Sequence, residues 1–165
     1  MKRIASKCVL ALLLLCAAAP APRAQSKKVM ETLLAESIKA AIQSGNYTIS
    51  VHQAIPITGD AIELTSPYSL RVRGDSVISY LPYYGRGYGV SFTGGNALNF
   101  RAKLDRSQVK LNSKGNRFTI ELTTHTGEDE YTFMMRVFTN GSATITTTMR
   151  KRQAMRFYGV VDLTP

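Results

Sequence analysis

The sequence predicts a mainly β protein, an antiparallel meander closing into a small lipocalin-like barrel, preceded by one amphipathic α-helix. Three observations carry this. Apolar residues recur at helical spacing up to Gln43 and at a period of 2 from Tyr47 onward. Turn residues cut the period-2 region into short runs at regular spacing. No helical pattern returns after Gly45.

At the start of the chain, Lys2, Arg3 and Lys7 precede an apolar run from Val9 to Leu15, and small residues continue to Ala24. A basic start, a short apolar run and an alanine-rich exit describe a secretory signal peptide, with cleavage expected after Ala24. The run is shorter than the roughly 20 apolar residues that span a bilayer. The competing reading is a lipoprotein anchored through Cys16. A lipid-attachment motif wants a small residue before the cysteine, and Leu15 stands there. The expected organisation is therefore a leader over residues 1–24 and a single barrel domain over residues 25–165, exported and most simply periplasmic.

That reading removes Cys8 and Cys16, leaving a cysteine-free mature chain with no disulfide, thiol nucleophile or thiolate metal site. Of the 21 cations, Lys2, Arg3, Lys7 and Arg23 lie in the leader, so 17 remain against 11 anions, a net charge of +6. Apart from Arg150, Lys151 and Arg152 the positive charge is scattered, which argues against a nucleic-acid partner.

Residues 27–43 place Met30, Leu33, Leu34, Ile38, Ala41 and Ile42 on one helical face, with Gly45 where a C-terminal cap belongs. The other face mixes lysine and glutamate, so the helix is expected to dock on the domain rather than lie on a membrane. Strand patterns then run through Tyr47, Ile49 and Val51; Tyr68, Leu70 and Val72; Leu98, Phe100, Ala102 and Leu104; and Phe118, Ile120 and Leu122. The last three run through Tyr131 to Val137, Ala143 to Met149 and Phe157 to Leu163. Gly74-Asp75 reads as a two-residue turn pairing Val72 with Val77 and Tyr68 with Leu81. Asn140-Gly141 fits better inside a three-residue loop with Gly141 left-handed, because that register sets Val137 opposite Ala143 and Met135 opposite Ile145.

The stretch YLPYYGRGYG, residues 80–89, is the one dense aromatic and cationic cluster. Its glycines lie between strands and not ahead of a helix, which excludes a phosphate-cradling loop. Tyr80, Tyr83, Tyr84, Arg86 and Tyr88 are the candidate ligand- or partner-binding residues, since tyrosine beside arginine suits an interface. The plainer alternative is a barrel corner broken by Pro82 and the glycines. Elsewhere the chemistry is sparse. His52 and His125 occupy polar strand positions without a second histidine at ligand spacing, so no metal or cofactor is expected. Glu128, Asp129 and Glu130 lack the alternation of a calcium loop and read as a solvated turn. No serine lies in a nucleophile motif, and Asp60, Glu63, Asp75, Asp105 and Glu121 offer no preferred catalytic pair.

With these residues in hand, the chain resembles a family of exported Bacteroidetes proteins known as a domain of unknown function. The resemblance runs through Gln43-Ser44-Gly45-Asn46-Tyr47, Leu64-Thr65-Ser66-Pro67-Tyr68-Ser69-Leu70 and Gly74-Asp75-Ser76-Val77. It is sharpest at Tyr80-Leu81-Pro82-Tyr83-Tyr84-Gly85-Arg86, and resumes at Asn140-Gly141-Ser142-Ala143 and Phe157-Tyr158-Gly159. Many members look like lipoproteins; Leu15 departs from that pattern. The resemblance implies a compact lipocalin-like barrel with an N-terminal helix and brings no catalytic residues.

Function is expected to be non-enzymatic: a periplasmic or envelope binding module for a small apolar or amphipathic ligand. The alternative is a protein-interaction or envelope-assembly subunit using residues 80–89, and a hydrolase comes third. A cavity discriminates the first: if Leu70, Phe100, Ile120, Phe133 and Met135 close on each other, ligand binding inside the barrel loses support. A histidine beside a carboxylate in a cleft would favour the third.

Overall fold

The change of hydrophobic period at Gly45 marks the end of the helix in a computed structural model, which describes residues 22–87 and 95–163. Most of the expected leader, with Cys8 and Cys16, lies outside the described residues, as do Tyr88 and Gly89. The chain divides into two units, Met1–Thr32 and Leu33–Pro165. Every strand belongs to the second unit, together with the C-terminal part of the helix.

Helix α1 (Pro22–Gln43) is closed by Gly45 at φ +68°, whose N–H donates to the Ile42 carbonyl at 3.2 Å. A residue with a Cβ would strain there, so the cap is a glycine position. The expected apolar face is only partly used. Ile38 and Ile42 are fully buried and Ala41 partly so, whereas Leu33 is 59% exposed. The helix docks through its last two turns.

Among the described residues nine strands follow: β1 (Asn46–Pro56), β2 (Ile62–Arg73), β3 (Ser76–Tyr83), β4 (Gly95–Lys103), β5 (Arg106–Leu111), β6 (Arg117–His125), β7 (Glu130–Phe138), β8 (Ser142–Met149) and β9 (Met155–Asp162). All pair antiparallel in one sheet ordered β4-β3-β2-β1-β9-β8-β7-β6-β5. Sequence neighbours pair except β4 and β5, and one pairing joins strands distant in sequence. β1 takes β9, so the first and last strands meet in the middle. β4 and β5 become the two edges although only Leu104 and Asp105 separate them.

That short link requires the sheet to curl. The corner is fixed by the Thr124 hydroxyl donating to the Lys103 carbonyl at 2.6 Å, the Leu104 N–H to Asp75 O at 2.7 Å and the Asp105 N–H to Thr123 O at 2.8 Å. The edges meet there without a β4–β5 ladder, and the result is a curled half-barrel.

Both hairpin registers hold. Val72 faces Val77 across Gly74-Asp75, and the ladder ends at Ser69 opposite Tyr80, one pair short of Tyr68–Leu81. Val137 faces Ala143, Met135 faces Ile145, and Gly141 has φ +88°. The sequence reading missed β5. It also placed the start of β2 six residues late, at Tyr68 rather than Ile62.

One irregularity sets the inner face of β1. Pairing with both neighbours slips between Val51 and Gln53: against β9 the exposed His52 is the extra residue, whereas against β2 the surplus lies on β2, between Glu63 and Tyr68. Buried positions accordingly change from Val51 to Ala54, three residues on, where strict alternation would give two. Gly159 faces Val51 here, and a Cβ on it would collide with the Ser50 carbonyl.

Leu70, Ile120, Phe133 and Met135 are fully buried in one cluster. Phe100, half-buried at the edge, lies 4.3 Å from the Tyr131 ring and 6.3 Å from Phe133 between centroids. The side chains named as the walls of a possible ligand cavity belong to one packed core.

Candidate functional site

Residues 80–87 combine a strand end with a tethered loop. β3 directs Val77, Ser79 and Leu81 inward, so Tyr80 stands outward and is 44% exposed. The Tyr68 ring packs on it at 5.3 Å between centroids and 32° between planes. Tyr83 behaves differently. It is buried, and its hydroxyl donates to the Arg86 carbonyl at 2.8 Å and approaches the Gln153 carbonyl at 3.2 Å.

Those contacts belong to a staple between this loop and the β8–β9 connection. The Gln153 N–H donates to Arg86 O at 2.9 Å, the Arg86 N–H returns a bond to Gln153 Oε1 at 3.1 Å, and Gly87 bridges Arg152. Gly85 is required by its neighbour. A Cβ there would stand 2.5 Å from the Tyr83 hydroxyl oxygen.

The staple leaves Tyr84 45% exposed, in the same depression as Tyr80, and Arg86 exposed. Partial burial, with the charge interaction with Tyr68 second, raises the Tyr84 phenol above its ordinary value. A shallow depression of about 240 Å³ is lined by Tyr68, Tyr80, Pro82, Tyr83, Tyr84 and Asn99, among others. Of the five candidate residues, then, Tyr80 and Tyr84 form an exposed ledge, Tyr83 is its buried anchor, Arg86 is exposed on the tethered loop, and Tyr88 lies outside the described residues.

A second polar site was not visible as such in the sequence. The acidic run 128–130 and the basic run 150–152 converge at the β6–β7 and β8–β9 connections. Asp129 is buried, which corrects the solvated-turn reading for this residue. One of its oxygens, Oδ1, accepts the N–H groups of Glu130 at 2.9 Å, Arg150 at 3.1 Å and Lys151 at 3.3 Å; Oδ2 takes Lys151 at 3.2 Å. Arg152, with its side chain 14% exposed, approaches Asp129 and Glu128 at 3.6 Å each. These are ion pairs longer than hydrogen bonds, and Arg152 Nη1 is buried without a hydrogen-bond partner. The buried carboxylate is itself satisfied by these turn amides, which is what allows it inside. The signal available in sequence was the opposite charge of two runs 20 residues apart; their meeting depends on β7 and β8 forming a hairpin.

His125 borders the same region, in an open depression of about 480 Å³. Its Nδ1 lies 2.8 Å from Asp105 Oδ2, and hydrogen bonding to that carboxylate, with its charge, raises the imidazole above its ordinary value. This is the histidine–carboxylate pairing that would favour a hydrolase, but both side chains face water, 72% and 43% exposed. The adjacent Thr126 hydroxyl is occupied as an acceptor for the Glu128 and Asp129 N–H groups, not poised as a nucleophile. His52 sits alone on its bulge, outward. Glu63, Asp75 and Asp105 answer to separate partners, Gln53, Lys103 and His125. Among the described residues, no group of three or more histidine, cysteine, aspartate or glutamate side chains is placed to hold a metal ion. No described helix is long and apolar enough to cross a membrane.

Fold and site together define a class: a small antiparallel half-barrel with an N-terminal helix and an aromatic ledge at the end of its third strand. The family model for DUF4251, a domain of unknown function, matches residues 30–161, and the chain belongs to that family. The fold is similar to the crystal structure of a DUF4251 family protein from Bacteroides eggerthii. That match has a TM-score of 0.63 and 11% sequence identity, and covers 78% of this chain and 87% of the other. No functionally curated protein matches the sequence.

Proposed function

We propose that this chain is an exported, non-enzymatic interaction module that docks a protein of the cell envelope on its tyrosine ledge. The carrying observation is that Tyr80 and Tyr84 are nearly half exposed on a loop held by Tyr83, Gln153 and the Gly87–Arg152 bridge. Large aromatic side chains on a pre-ordered loop lose little conformational entropy on binding, and a neighbouring arginine adds directional donors. The complete burial of Phe133 and Met135 weighs against an apolar ligand beside them inside the half-barrel, which would need those side chains to open.

Native mass spectrometry of the protein purified from its own cells tests this. A co-purifying protein chain that is lost in the Tyr80→Ala/Tyr84→Ala double variant, with thermal unfolding unchanged, is the expected result. A co-purifying small molecule retained by that variant would overturn it.

A further inference from the structure

Edge strand β5 carries two chemistries on its two sides. Among the described residues it pairs with β6 alone. Ser107, Val109 and Leu111 stand opposite Leu122, Ile120 and Phe118 and so share their inner face. Ile120 and Phe118 are 0% and 2% exposed, yet Val109 and Leu111 are 45% and 44% exposed. The apolar inner face therefore runs on past its last covered position. The other side bears Arg106, Gln108 and Lys110, both cations exposed, and β5 contains no acid. Glu121, opposite Gln108 on β6, supplies one countercharge against these two cations.

A sheet edge offers backbone donors and acceptors to an added strand. We propose that β5 receives an extended segment of a partner protein in which apolar and acidic residues alternate. Its apolar side chains cover Val109 and Leu111 and extend the core face, while its carboxylates oppose Arg106 and Lys110. Charge selects this occupant over a second copy of the chain. Antiparallel self-pairing centred on Gln108 sets Arg106 opposite Lys110 of the other copy twice, and like charges directly opposite destabilise a ladder. Self-pairing centred on Val109 sets Lys110 opposite Gln108 and offers no countercharge. The same cations that discourage self-association favour an acidic strand.

The test uses the full chain, ¹⁵N-labelled, and three synthetic peptides: alternating Glu with Val or Leu, the same with Lys for Glu, and the acidic peptide with a central Pro. The acidic peptide is expected to bind at least about tenfold more tightly than the lysine peptide, as two cross-strand charge contacts exchanged from favourable to unfavourable allow. Amide shifts should centre on residues 106–111, and the proline peptide should bind weakly. The Arg106→Glu/Lys110→Glu variant should reverse the preference, which also shows that it is folded; Tyr80→Ala/Tyr84→Ala should leave it intact. Equal affinity for the two charged peptides, undiminished binding of the proline peptide, shifts centred on Tyr80 and Tyr84, no saturable binding, or concentration-dependent dimerisation through β5 would each overturn the proposal.

Discussion

Single residues decide the ledge's geometry, and Gly85 is the most exacting. Its missing Cβ makes room for the Tyr83 hydroxyl, which two carbonyls hold in place. Gly85→Ala should therefore destabilise the protein by about 1–3 kcal/mol, the usual cost of overpacking. Gly127→Ala, where a Cβ meets nothing within 4 Å, is the control and should be close to neutral in denaturant unfolding. His125 makes a separate test. Its folded pKa is raised by Asp105, so the pair's stabilisation is present below the unfolded pKa and is lost as pH rises through the folded one. An NMR titration should find the imidazole above its ordinary value, and Asp105→Asn should bring it back down. The sequence showed which residues were unusual at this scale but not how they would differ. Tyr80, Tyr83 and Tyr84 read as one cluster, yet strand alternation sends Tyr80 outward and Tyr83 inward with Leu81, where a bond to Gln153, 70 positions away, holds it. Asp129 was hidden for the same reason: its partners Arg150 and Lys151 come from a distant turn.

At the scale of elements, local pattern was a good guide wherever one face is buried. Alternation specifies register because a one-residue slip would expose the whole inner face, and the β7–β8 pairing of Val137 with Ala143 follows from it. It fails at β5, where both faces are largely exposed and Val109 and Leu111 alternate with Gln108 and Lys110 over too short a run to stand out. It also overstates the helix. Six apolar positions share a face, but Ile38 and Ile42 meet the core while Leu33 does not. Ile38→Ala should cost about 2–5 kcal/mol, as for other buried truncations, and Leu33→Ala should lie within about 0.5 kcal/mol of the parent in thermal or denaturant unfolding. Equal losses would mean the whole apolar face is docked.

The whole molecule is organised by the pairing of its first strand with its last. Residues from Thr48–Pro56 and Met155–Asp162 form one ladder in the middle of the sheet, so neither half of the meander is complete until β9 has been made. Such long-range pairing requires closing the largest loop in the domain, which slows folding relative to a simple hairpin series. It also distributes stability unevenly, because β1 and β9 have neighbours on both sides whereas β5, among the described residues, has β6 alone. Local opening follows contact density and solvent exposure of backbone hydrogen bonds. Native-state hydrogen exchange should therefore find the slowest amides in the β1–β9 ladder, opening only with global unfolding, and much faster exchange along β5. That gradient is also what strand addition at β5 would need, since an edge that frays can adjust to an incoming segment while the central ladder holds the half-barrel together. If β5 amides were protected as strongly as those of β1, the central-ladder account of stability would be wrong.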